Sequence, residues 1–231
     1  QFASSAASDV YKRQIYDDSY IFFYSDHGGP FPRHKRAIYE TGTKVPFFVK
    51  LPKGNKEKVD KSQFLSFVDF APTVLSIAGI DIPSFHQGKP FLGKSKDESV
   101  REYLFTSSDR FDEHPDRIRA VRGEKYKYIR HYNPENSHAL NVAYRRQMVL
   151  MRHLNSLHLT GELSKKHDLW FRVPKLKEEL YDLENDPFEL NNLSDNADHK
   201  AELDKLSNVL DDWLEDIDDL GRIPEKKLFK M

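Results

Sequence analysis

The feature that most narrows the fold is a pair of short aromatic runs that bracket a polar loop. Tyr20-Ile21-Phe22-Phe23-Tyr24 is β-prone and too short for a buried helix, and it stops abruptly at Ser25-Asp26-His27-Gly28-Gly29. A second run, Val45-Pro46-Phe47-Phe48-Val49-Lys50-Leu51, is closed by Pro52 and the turn-forming Lys53-Gly54-Asn55. Asp69 to Gly79 then carries a capping Asp, Pro72 in the first turn and a terminal Gly, which predicts a helix with both ends marked. Strand, loop, strand and helix together predict the edge of an α/β sheet.

After the Pro-, Gly- and Lys-containing passage 81–98 the texture changes. Residues 102–107, 118–121, 126–132 and 179–183 read as short strands, and Arg122-Gly123-Glu124-Lys125 supplies a hairpin turn between two of them. Residues 141–160 read as a helix ending near Gly161. Leu203, Leu206, Leu210, Trp213, Leu214 and Ile217 recur at helical spacing, which predicts a terminal amphipathic helix covering a small antiparallel sheet. Asp211-Asp212 and Asp218-Asp219 read as its solvated face. Residues 1–14 show neither period; SSAASDVYKRQ looks like translated adaptor sequence, so this stretch reads as a non-native or disordered tail. The expected organisation is therefore a tail at 1–14, an α/β part at 15–98 and a smaller α+β part at 99–231.

Composition bounds the partners. With 36 Lys and Arg against 37 Asp and Glu, the formal charge of −1 offers no bulk attraction to nucleic acid or an anionic membrane. No apolar run approaches the roughly 18 residues of a membrane span. There is no cysteine, which removes disulfides, thiolate metal sites and a cysteine nucleophile together. Chemistry here rests on oxygen and nitrogen.

Asp26 and His27 place an oxygen and a nitrogen donor at the end of a buried strand, before two glycines, as a divalent metal site would. A turn-initiating Asp beside a hydrogen-bonding His reads equally well from these residues alone. Arg33, His34, Lys35 and Arg36 follow as a cationic cluster suited to polarising a tetrahedral oxyanion, or simply to facing water. His86 is a candidate pocket residue. Ser108 to Arg117, with Asp109, Arg110, Asp112, Glu113 and Arg117, reads as a loop that could bind a sugar by many polar contacts or form surface ion pairs.

The string from Ser25 to Pro46 resembles the C-terminal metal- and sulfate-binding segment of the type I sulfatases of the alkaline-phosphatase superfamily, closest to the heparan N-sulfatase-like branch and its bacterial relatives. Val68 to Leu75, Gln87 to Phe91, Arg119 to Arg130 and Glu179 to Pro187 agree in the same order. The resemblance implies an α/β fold comprising the end of an alkaline-phosphatase-like sheet domain and a smaller antiparallel sheet packed by a C-terminal helix. It further implies Asp26 and His27 as Ca²⁺ ligands, Lys35 as the catalytic contact to sulfate, a sulfated saccharide as substrate, and a periplasmic or secreted home.

One departure is large. Such sulfatases use a formylglycine made within a C/S-x-P/A-x-R/K motif, and no Ser here fits it. Asp17-Asp18 lies too near the first strand to be the family's N-terminal metal pair, and reads as surface acid. The chain thus reads as the C-terminal part of a longer sulfatase, inactive alone, with formylglycine expected in the missing N-terminal part. A phosphonate or phosphodiester hydrolase of the same superfamily and a noncatalytic sugar-binding module are the alternatives.

Overall fold

The computed structural model describes residues 11–57 and 63–228; residues 1–10 of the expected tail lie outside them. The contacts divide the chain into two compact units. The first comprises the residues up to Asp26 with Val45–Leu104, and the second comprises His27–Lys44 with the chain from Phe105 onward.

In the first unit the two aromatic runs form strands β1 (Ile21–Tyr24) and β2 (Phe47–Lys50), paired antiparallel with Phe22 opposite Val49 and Phe23 opposite Phe48. Phe22 and Phe47 meet Phe70 and Phe91 in a ring cluster with centroids 5.3 to 6.4 Å apart, the offset and edge-on geometry that aromatic quadrupoles favour. Helix α1 (Phe70–Ile77) ends as expected at Gly79, whose φ of +68° a Cβ would resist. Asp69 does not cap it, correcting the sequence reading. Its carboxylate accepts from Ser66 N at the preceding 3₁₀ turn, from Lys89 N and from both terminal nitrogens of Arg101. A buried carboxylate gathers the charged donors within reach, and a guanidinium outcompetes a helix N–H.

The second unit is built on a four-stranded antiparallel sheet in the order β3 (Leu104–Phe111), β4 (His114–Arg122), β5 (Tyr126–His131), β6 (Glu178–Asp182). The turn at Gly123 joins β4 to β5 as predicted, with Arg122 opposite Lys127. Strands β3 and β4 are longer than the sequence suggests, so the predicted loop at 108–117 is a hairpin turning at Asp112-Glu113. Two-residue alternation gives each strand two faces. Val121, Tyr128 and Leu180 lie abreast in the register and are fully buried. Helix α4 (Lys200–Asp216) packs on β4 and β5 with Leu203, Leu206 and Leu210 buried and Trp213 stacked on Phe105 at 4.6 Å, as the stripe predicts. On the opposite face Ile118, Ala120, Ile129 and Tyr181 form a core with Ile38, Tyr39, Met151 and Trp170.

Between β5 and β6 the expected single helix is two, α2 (Ala143–Gln147) and α3 (Val149–Thr160). Met148 breaks them with an extended ψ of 124°, while Gly161 closes α3 in the left-handed region as expected. Asp219 also departs from the reading. It is buried, with Oδ2 accepting from Arg117 at 2.6 Å and Oδ1 from Arg119 at 2.8 Å. Asp211, Asp212 and Asp218 do face solvent.

Candidate active site

The segment following β1 is held folded by close backbone crossings. Gly28 N donates to Gly42 O at 3.0 Å and Lys35 N to Gly29 O at 3.0 Å. A Cβ on Gly28 would fall 1.9 Å from Thr41 O, and one on Gly42 2.2 Å from Ala37 O, so both positions demand glycine. Arg33 and Arg36 adopt positive φ values of 64° and 61° on either side of Lys35. Such conformations cost about 1–3 kcal/mol each in side-chain-bearing residues and persist only where surroundings hold them.

The holding groups are visible. Arg33 donates to Glu189 O at 2.8 Å and lies 3.8 Å above the Tyr39 ring; Arg36 pairs with Asp112 and lies over Phe111. Glu40 accepts from Lys127 at 3.1 Å, and its N–H donates to Glu189 Oε2 at 2.7 Å. Tyr39 donates to Glu179 at 2.9 Å, and burial, then the adjacent Glu179 charge, pushes its phenol well up.

Two of the four basic residues are thus consumed in anchoring. Lys35 pairs with no carboxylate among the described residues; its ammonium sits 5.9 Å from the Tyr144 ring at a small hollow shared with Phe31 and Arg145. Burial lowers the Arg145 guanidinium to about 10. His34 packs edge-on against Phe31. Asp26 is exposed and closes the first unit, and His27 opens the second, its Nδ1 2.7 Å from Gly28 O.

The remaining candidates are spread out. His86 belongs to the first unit and packs against Phe85 at 4.7 Å. In the second unit, Asp109 accepts from Arg119, Arg110 pairs with Glu225, Asp112 with Arg36, and Arg117 with Asp219 over the Tyr132 ring. Glu113 accepts from Ala143 N at the start of α2. Reading the sequence missed a buried group on the face of the sheet beneath Tyr39. His131 and His138 approach Glu179 Oε1 at 2.9 and 3.6 Å, and Tyr181 donates to Oε2 at 2.6 Å. Burial holds His138 down at about 3; burial also pushes the Glu179 carboxyl up, but the His131 hydrogen bond, both imidazoles and Tyr181 outweigh it and hold it far below its usual range.

A profile of the family described as N-sulphoglucosamine sulphohydrolase, C-terminal, matches residues 29–147, just over half of the chain. The chain belongs to this sulfatase family. Lys35 lies inside the matched stretch, while Asp26 and His27 precede it. An ulvan-active sulfatase of Formosa agariphila is 42% identical over 214 residues, covering 93% of this chain and 36% of the relative. Among solved structures, a 2-O GAG sulfatase aligns over 95% of this chain and 41% of its own with a TM-score of 0.65 and 21% identity. Another, solved in complex with its substrate D-glucosamine-2-N,6-O-disulfate, aligns over 96% of this chain and 39% of its own with a TM-score of 0.63 and 19% identity. The fold is the alkaline-phosphatase-like one of these sulfatases, and this sulfatase chain spans about two fifths of their length. No helix among its described residues is long and apolar enough to cross a membrane.

Proposed function

We propose that the chain serves as the C-terminal part of an enzyme that hydrolyses a sulfate ester or N-sulfate on a sulfated saccharide. One observation carries the reading: within a sulfatase-family segment whose neighbouring arginines are spent on anchoring, Lys35 is held between two left-handed residues without a carboxylate partner. An ammonium so placed can neutralise charge on sulfuryl oxygens as the bond to sulfur breaks.

The implied metal is Ca²⁺, and the residues present fit part of its demand. Asp26 offers a hard carboxylate oxygen. The contact of His27 Nδ1 with a backbone carbonyl puts the lone pair on Nε2, the tautomer that ligating imidazoles adopt. Because Ca²⁺ takes about six to eight ligands, mostly oxygen, further donors must come from the rest of the enzyme. When bound, the cation would withdraw charge from the sulfate oxygens, and a formylglycine supplied elsewhere in the enzyme would provide the nucleophile. Arg110 and its neighbours on the β3–β4 hairpin are proposed as a saccharide-facing wall of the second unit; His86, in the first unit, is proposed on its own as a saccharide contact.

The complete enzyme, assayed with paired aryl sulfate and aryl phosphate esters, should turn over the sulfate preferentially. Lys35→Ala should retain the metal and lose on the order of 10²-fold in turnover, the usual scale for one charge-stabilising donor. Asp26→Ala should lose Ca²⁺ by elemental analysis. Preference for the phosphate ester, or full activity of Lys35→Ala, would overturn the assignment.

A further inference from the structure

The buried group under Tyr39 has a composition that hydrogen bonding alone leaves incomplete. His131 at the end of β5, His138 in the loop that follows β5 and Glu179 on β6 each bring one donor atom to a common point, all within 4.8 Å of one another. The Glu179 Oε1 to His131 Nε2 separation is 2.9 Å and that to His138 Nε2 is 3.6 Å. These bracket the ligand-to-ligand edge of about 3.4 Å expected for a tetrahedral cation with bonds near 2.1 Å. The second distance exceeds hydrogen-bond range, so one carboxylate oxygen satisfies one imidazole while the other crowds it. The two rings stand edge-on at 5.2 Å, and His138 is further fixed by stacking on Trp170.

We infer that His131, His138 and Glu179 form a binding site for a first-row transition dication of the Zn²⁺ type, separate from the calcium ligands proposed above. Two imidazoles and one carboxylate suit Zn²⁺ and are poorly matched to Ca²⁺, which selects oxygen. The carboxylate is already oriented from outside: its Oε2 accepts from Tyr39 at 2.9 Å and Tyr181 at 2.6 Å, Tyr39 also reaches Oε1 more weakly at 3.2 Å, and Oε1 is the oxygen that the imidazoles approach. Such outer hydrogen bonds are how proteins aim a metal-ligating carboxylate. A cavity of about 80 Å³ bordered by His138 and Glu179 gives an entry path and space for a water as fourth ligand. Four cations border the same cavity, Arg33, Lys166, Arg172 and Lys175. Lys175 is paired with Asp116 at 2.6 Å and Arg33 is tied to the Glu189 carbonyl, so these two do not ligate, and the four positive charges together keep the affinity moderate. With the ion bound, β5, β6 and, through Tyr39, the Lys35 segment would be joined at one point.

The test uses the whole 231-residue chain, stripped with a chelator and titrated with Zn²⁺ by calorimetry and with Co²⁺ by visible absorption. One equivalent of Zn²⁺ should bind at micromolar Kd or tighter, and Co²⁺ should give the intense d–d bands of a four-coordinate site. Losing an outer hydrogen bond costs metal sites about 10–100-fold, so Tyr39→Phe should weaken binding within that range and His138→Ala by at least about 100-fold. His138 lines the cavity and carries no buried charge, which makes its replacement milder than that of Glu179. The Asp26→Ala, His27→Ala double variant should keep the Co²⁺ bands, which separates this site from the calcium reading. Absence of Zn²⁺ uptake by the unmodified chain, or unchanged affinity in a folded His138→Ala, would overturn the inference and leave the group a hydrogen-bonded hub.

Discussion

Asp219→Ala tests the claim that the second unit is held by a buried charge cluster rather than a solvated acidic face. Asp219 accepts from Arg117, Arg119 and Gly221 N, while the Arg119 side chain is 1% exposed. Removing one partner of a buried pair typically costs about 3–5 kcal/mol, because the other charge is left uncompensated. Arg119 keeps Asp109 at 2.7 Å, which is half exposed and therefore screened, and the carbonyls of Ser108 and Ile118 at 3.1 and 2.9 Å. Those acceptors place the expected loss at the lower end, about 3 kcal/mol. With a urea m-value of about 2 kcal/mol/M, the midpoint should fall by roughly 1.5 M. Both tryptophans, Trp170 and Trp213, lie in the second unit, so their fluorescence reports its unfolding. The acid limb gives an independent reading. Burial pushes the Asp219 carboxyl up, but the Arg119 and Arg117 hydrogen bonds outweigh it and set the folded value below the ordinary 3.8. Its stabilisation is therefore complete above 3.8 and is lost as pH falls through the lower folded value, so the variant should show a shallower acid decline. A midpoint within roughly 0.3 M of the parent at unchanged m would refute the cluster's role.

Three further outcomes follow from the same geometry. Gly221→Ala places a Cβ 2.1 Å from Arg119 Nη2 and 2.6 Å from Asp109 Oδ1, so it should destabilise by about 1–3 kcal/mol in the same urea titration. Leu210→Ala empties a fully buried position on the inner face of α4 and should cost about 2–5 kcal/mol, with thermal melting as the check. In the complete enzyme, Arg110→Ala breaks an exposed pair with Glu225 and an exposed hydrogen bond to Asp112 O, so it should lower kcat/KM for a saccharide sulfate more than for a small aryl sulfate. Equal losses on both substrates would remove the hairpin from the specificity wall.

Local signals in the sequence are enough to locate the strands and α4, because alternation, the Gly123 turn and the Leu203, Leu206, Leu210 stripe are each read within a few residues; the polar residues 108–117 hide the extension of β3 and β4 into one hairpin. The break at Met148 has no Gly or Pro to announce it. Asp219 looked solvated because its partners Arg117 and Arg119 lie about 100 residues earlier. His131, His138 and Glu179 have no motif spacing; only the pairing of β5 with β6 brings the two ends together. Lys35 was legible through the family string, but the division of labour among the four basic residues was not, since Arg33 finds its acceptor 156 positions away.

The crossing of Gly28 beneath Thr41, and of Gly42 against Ala37, sets which substitutions this segment can explore. The frame has no spare volume at the crossing points, whereas the His34 and Lys35 side chains are partly exposed and neither is needed to close a backbone crossing. Drift at either glycine is therefore removed at the folding step, before any effect on the proposed sulfate contact can be expressed, whereas a change at Lys35 leaves the frame standing and is felt only in the charge presented there.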